Sequence, residues 1–375
     1  MASGRAKKRA IVHAGLPKTA TTTIQNACFE ARMKLHKGAG ILYPGNHPDK
    51  QQALRTIFVD DPRKHPSNML AERTDLAELR REGEQILGEF KSEIEQSDAE
   101  SVLFSNEGLS NHQPGELVKL KDWLSQFFDD IEVLFVVREP VAYTTSAVQQ
   151  LLKQGHILEA KYSKPPRPLY QSRIGRVMKV FGAGAVQVLT FEEMCGHADG
   201  VIGSFLDYLG VANQEVRKAV HEAARRDNSS LSNEAALILS SLNAHRPLFV
   251  DGRTMRNRSL YKEVSALRNI KGDKFRLPKE VAERIFEMTR PDVAWLRENF
   301  GIEAYDNIDF SKYTNEPSLK PEVAQSLALT ISDLINKQRT TFDPDRGAAK
   351  VVSGKLRKID HWLSGNLPGL RRWYR

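Results

Sequence analysis

Three observations predict an α/β fold of three layers, a central parallel sheet covered by helices on both faces. Four short apolar runs, at 10–14, 102–105, 133–137 and 186–191, have the length and composition of strands. Segments with apolar residues at helical spacing stand between them. The run 133–137 is apolar at every position, as a strand buried on both faces requires. Strands alternating with helices make a parallel sheet the economical solution.

The first run, Ala10 to Ala14, stops at Gly15, and a threonine-rich turn follows it. Ile24, Cys28, Ala31 and Leu35 then recur on one face of a predicted helix. Residues 41–45 read as a short extended segment closed by a turn, and the polar stretch 46–70, with its turn formers, as loop. Leu76, Leu79, Ile86, Phe90 and Ile94 mark a charged amphipathic helix, and Trp123, Leu124, Phe127 and Phe128 another. From about residue 200 the pattern is helical and more charged, with no strong strand and no repeat. The expected organisation is one domain over 1–345, with a ligand-binding core at about 9–240, a helical remainder at 241–345, and a basic amphipathic tail at 346–375.

Composition narrows the function. The chain has 375 residues, 40% hydrophobic and 27% charged, with a net charge of +8, so an ordinary core is expected together with an anionic partner. Two cysteines, Cys28 and Cys195, argue against a disulfide framework or a zinc ribbon. No His/Cys cluster has metal-ligand spacing, so no metal is expected. No apolar run approaches the length of a membrane span, and the N-terminal apolar stretch is too short for a signal peptide. The expected location is cytoplasmic. No nucleic-acid-binding motif accompanies the basic charge.

The turn after the first strand, residues 15–23, holds Gly15, Lys18, Thr19, Ala20, Thr21, Thr22 and Thr23 ahead of a helix. A helix N-terminus offers free N–H groups and a positive partial charge; Lys18 adds a full charge and the threonines add hydroxyl donors. This is not a Walker A loop, because Pro17 stands where the glycine before the lysine belongs. The other reading is a threonine-capped helix start beside an incidental lysine. The segment Pro17-Lys18-Thr19-Ala20-Thr21-Thr22 resembles the 5′-phosphosulfate loop of sulfotransferases that use 3′-phosphoadenylyl sulfate (PAPS). The chain departs from that pattern in Ala20, where the family has glycine. Alanine fits the loop if the position is right-handed.

The run 133–137 ends in Arg138-Glu139-Pro140, with Ser146 eight residues after the arginine. Ligands of open α/β sheets bind beyond the carboxyl ends of strands, and a cation there suits an anion and not a metal. The alternative is an arginine paired with Glu139. The spacing resembles the 3′-phosphate motif of the same family, which implies that Arg138 and Ser146 hold that phosphate. The segment 188–194 is similar to another family element and implies that Phe191 lies near the adenine, although plain core packing explains Phe191 as well. The resemblance covers about residues 9–240. It implies a P-loop-type fold and transfer of a sulfuryl group from PAPS to an acceptor hydroxyl, with PAP as product.

Such transfer needs a cation at the leaving phosphate, here Lys18, and a base for the acceptor proton. Glu107, just after the strand 102–105, and His47, in the turn after Tyr43-Pro44, compete for the base; His112 is third, and His13 reads as a core histidine. The family likeness points to a small-molecule acceptor, a carbohydrate or glycolipid. From Lys350 to Arg375, seven Lys or Arg face one Asp, and Val352, Leu356, Ile359 and Leu363 share a helical face. That composition suits peripheral contact with an anionic membrane at its inner face, or a helix docked on the protein. The competing functions are a P-loop phosphotransferase or nucleotidase acting on ATP, and a binding protein without chemistry.

Overall fold

The computed structural model describes residues 8–224, 230–247, 249–250, 253–254, 260–316 and 318–340. These divide into two compact units, one of residues 8–138 and 169–224, the other of 139–168 and 230–340. In the first unit β1 (Arg9–His13), α1 (Thr21–Glu30), α2 (Arg32–Ala39), β2 (Ile41–Leu42), α3 (Pro48–Ile57), α4 (Pro66–Leu70), α5 (Leu76–Gln96), β3 (Ser101–Ser105), α6 (Pro114–Leu124) and β4 (Asp130–Val137) follow one another. The second unit then takes α7 (Pro140–Leu152) and α8 (Leu158–Ser163). The first resumes with α9 (Tyr170–Phe181), β5 (Val186–Thr190), α10 (Phe191–Gly196), α11 (Gly200–Tyr208) and α12 (Gln214–Ala223). The second is completed by α13 (Asn233–His245), the hairpin β6 (Phe249–Val250) and β7 (Arg253–Thr254), α14 (Leu260–Leu267), α15 (Lys279–Phe300) and α16 (Pro321–Thr340).

The five strands of the first unit pair in parallel in the order β2-β3-β1-β4-β5. Alternation along β1 sends Ile11 and His13 to one face and Ala10 and Val12 to the other. On the first face Ile11, Leu103, Leu134 and Val136 meet Ile24, Cys28 and Leu35 of α1 and α2, Met194 of α10, Phe205 and Leu206 of α11, and Val216 and Val220 of α12. On the second, Phe104 of β3 packs edge-on against Phe90 of α5 and Trp123 of α6, with ring centroids 6.1 and 5.8 Å apart. Helices thus cover both faces, the three-layer arrangement expected from the sequence. The second unit is helical around Val148, Leu152, Leu158, Leu239, Leu242 and Ile285.

Local details differ from the sequence reading. The predicted helix through Ile24 and Leu35 is two helices, broken at Ala31 (φ −93°, ψ 8°), although all four apolar residues stay buried. The stretch 46–70, expected to be loop, holds α3 and α4. The buried side of α3 includes Gln51 and Gln52 beside Leu54, so no apolar period marks it. Phe127 and Phe128 lie in the turn after α6 and still pack on Trp123 and Phe104. β5 ends at Thr190, whose hydroxyl accepts from the Glu193 N–H and so starts α10 at Phe191. The tail 346–375 lies outside the described residues.

Candidate functional site

β1 and β3 end level, with His13 opposite Ser105, while β4 continues past Leu134, its partner to His13, as far as Val137. The crevice beyond these ends receives the loop after β1. Gly15 has φ +38°, and a Cβ there would lie 3.0 Å from Thr21 Oγ1 and 3.2 Å from His13 Nε2, so glycine is required. Lys18 and Ala20 are both left-handed, at φ 75° and 61°. The right-handed geometry allowed for Ala20 is therefore not the one adopted. A left-handed alanine costs about 1–2 kcal/mol, a conformation that glycine adopts freely. Thr19, fully buried, donates to the Leu16 carbonyl at 2.6 Å, and its hydroxyl lies 3.4 Å from that of Thr21. Thr22 and Thr23 are half-buried.

α1 begins without a side-chain cap. Ala20 is its N-cap, no side chain accepts from its first N–H groups, and its first turn carries no acid. The threonine-capped alternative is thereby set aside, and the helix presents the positive end that suits an anion. Arg138, after β4, donates from Nη1 to the Lys18 carbonyl at 3.0 Å and stacks over Phe191 with its guanidinium 4.9 Å from the ring centre. Tyr170 Oη donates to the Arg138 carbonyl. Arg138 Nε is buried with no hydrogen-bond partner among the described residues. Glu139 caps α7, its carboxylate accepting from the Val141 and Ala142 N–H groups at 2.6 and 2.9 Å. Ser146 stands half-buried on α7, in the second unit.

Glu107 opens a 3-10 helix, Glu107–Asn111, and is half-buried. Asn106 places it. Its N–H donates to the His13 carbonyl at 2.9 Å, its Nδ2 to the Gln51 carbonyl at 2.5 Å, and its Oδ1 accepts from the Gly108 N–H at 2.8 Å. A buried amide network secures this edge: Gln25 donates to the Ser105 carbonyl, Gln52 to Gln25, and the Ser105 N–H to Gln51 Oε1. Lys18 joins the two halves electrostatically. Burial pushes its ammonium below the ordinary value, the Glu107 carboxylate opposes that shift, and Arg138 adds to it. His47 is exposed in the turn before α3. His112 is buried and its pKa is lowered, by burial first. His13 is fully buried, with Nδ1 2.8 Å from Ser105 Oγ; burial lowers its pKa to about 4.

Lys18, Thr19, Ala20, Thr21, Thr22, Thr23, Arg138, Phe191 and Glu107 thus all belong to the first unit, beyond the carboxyl edge of its sheet. Gln25, Gln51, Gln52 and Asn106 escaped the sequence reading, since isolated amides carry no pattern. Asn106 had one available signal, an Asn beside a Glu-Gly pair after a strand, which suits an Asn-capped turn. Among the described residues no group of three or more His, Cys, Asp or Glu is arranged to hold a metal ion, and no helix is long and apolar enough to cross a membrane. No protein-family model and no curated protein matches the chain. Among solved structures it is similar to a sulfotransferase from Alicyclobacillus acidocaldarius, at 15% identity and a TM-score of 0.41, over 80% of this chain and 100% of that one. A likeness of that extent carries no argument about activity.

Proposed function

We propose that the protein transfers a sulfuryl group from PAPS to an acceptor hydroxyl, on a carbohydrate or glycolipid, and releases PAP. The observation that carries this reading is the convergence at one sheet edge of an uncapped helix start, Lys18, Arg138 and Glu107. The residues fit the donor. The first turn of α1 holds N–H groups and no acid, and Arg138 keeps a buried Nε without a partner among the described residues. PAPS supplies the activated sulfuryl group. Lys18 and the α1 N–H groups stabilise negative charge on the departing phosphate, fixed in place before reaction. Arg138 suits a phosphate because its planar fork gives two parallel bonds. Glu107, held by Asn106, takes the acceptor proton. In the same reading the tail 346–375 rests on anionic lipid and brings a lipid-linked acceptor to the enzyme.

Calorimetric titration with PAP tests the reading, with 5′-AMP and Mg-ATP as controls. The expected result is metal-independent PAP binding, at least tenfold tighter than 5′-AMP and weakened at least tenfold by Arg138→Ala. Preference for Mg-ATP, or indifference to the 3′-phosphate, overturns it in favour of a phosphotransferase.

A further inference from the structure

The 3-10 helix that begins with Glu107 lies between two sources of positive charge. From α3, Arg55 packs against Gly108 so closely that a Cβ on that glycine would come within 2.5 Å of Arg55 Cβ and 3.3 Å of its Cδ. From α9, Arg176 Nη2 reaches the Ser110 carbonyl at 3.4 Å, and Arg173, one turn earlier, is near enough to repel it. Two histidines complete the group. His112, 2% exposed, follows the 3-10 helix, and His65 senses both Arg55 and His112. Burial first, and then Arg55 and His112, hold His65 at about 4, so it adds no charge at neutral pH. Glu116 is the acid that acts on both His112 and Arg176, and its two oxygens already accept from the Gln113 and Asp60 N–H groups at 2.7 and 3.2 Å. Arg173 Nη1 is buried and has no hydrogen-bond partner among the described residues, whereas the His112 ring already engages the Gly108 and Leu54 backbone.

A buried guanidinium donor without a partner, set beside further guanidinium groups, is what an oxyanion satisfies on binding. We infer that Arg173 and Arg176 of α9, with Arg55 of α3 adding positive charge, bind a carboxylate or sulfate carried by the acceptor, a saccharide that is already anionic, and so set its hydroxyl beside Glu107. This rests on the sulfotransferase reading for the word acceptor and on the cluster itself for the anion. The donor phosphates belong to α1, Lys18 and Arg138; this second cationic group flanks the candidate base instead.

The test is calorimetry on the full chain without donor. The probes are a uronate-containing disaccharide bearing one sulfate and its desulfated, carboxyl-reduced neutral analogue. The charged disaccharide is expected to bind at least tenfold more tightly. Arg173→Gln is expected to bring it within threefold of the neutral one, while Arg173→Lys, which keeps the charge, retains most of the preference and reports on folding. No preference for the charged disaccharide, including no binding of either, overturns the inference, as does an undiminished preference in Arg173→Gln. The PAP titration is read separately. Its failure removes the donor reading and leaves an anion-binding saccharide site standing.

Discussion

Ala20 and Glu107 sit on opposite sides of Lys18 in chemistry, one shaping the loop and the other acting on its charge. Ala20 is left-handed at φ 61°, where glycine suffers no Cβ penalty. Ala20→Gly therefore stabilises the folded protein by about 0.5–1 kcal/mol, the relieved strain less the entropy glycine loses on folding. The urea midpoint measures this, and a lower midpoint in the variant contradicts it. The proposed proton-accepting role of Glu107 rests on position: Asn106 fixes it at the loop edge, and its carboxylate acts on Lys18. Glu107→Gln is expected to lower sulfate transfer from labelled PAPS by about 10²–10⁴ with PAP binding retained. His47→Gln, in the exposed turn, is expected to change transfer less than threefold. The reverse ranking would assign the base to His47. Lys18, Arg138 and Glu107 were legible in the sequence because each follows a strand that an apolar run announces. The left-handed state of Ala20 was not, since a backbone angle leaves no mark on composition.

β1 carries more than its hydrogen bonds. It delivers His13 to the inner face, fully buried, against Ser105 and Phe205, and burial holds the imidazole near pKa 4. In the unfolded chain it titrates near 6.5. As pH falls from 6.5 to 4, the unfolded chain takes up a proton that the folded protein refuses. Stability is thus fully present above 6.5, is lost through that window, and levels off below 4. The contribution is on the order of 3 kcal/mol. Urea midpoints at pH 7, 5.5 and 4 check it: the acid loss should be smaller in His13→Gln than in the parent, and equal slopes would refute it. At this scale four strands and the long helix α5 were readable from apolar periodicity. α3 was not, because it buries Gln51 and Gln52 beside Leu54, and α1 and α2 merged because their break at Ala31 leaves the apolar spacing unchanged.

For the molecule as a whole, the +8 net charge and the tail make a prediction about location. Full-length protein should sediment with vesicles containing anionic lipid, less so as salt rises, and deletion of 346–375 should abolish this. Equal sedimentation of both forms removes the membrane proposal. The alternation of strand and helix made the three-layer sheet legible. The partition into two units was not, because no composition shift marks 139 or 169. That partition has a consequence for synthesis on the ribosome. All five strands of the parallel sheet and α12 are specified by the first 223 residues, so the sheet unit is encoded before α13 emerges. Residues 139–168, however, bury Val148, Leu152 and Leu158 against residues from 231 onward. During translation α7 and α8 are made early and wait, apolar faces unsatisfied, until the residues from 231 onward have emerged. Premature termination after the sheet is complete therefore leaves a nascent product with a finished sheet and a sticky excursion in its middle, a natural target for chaperones and proteases.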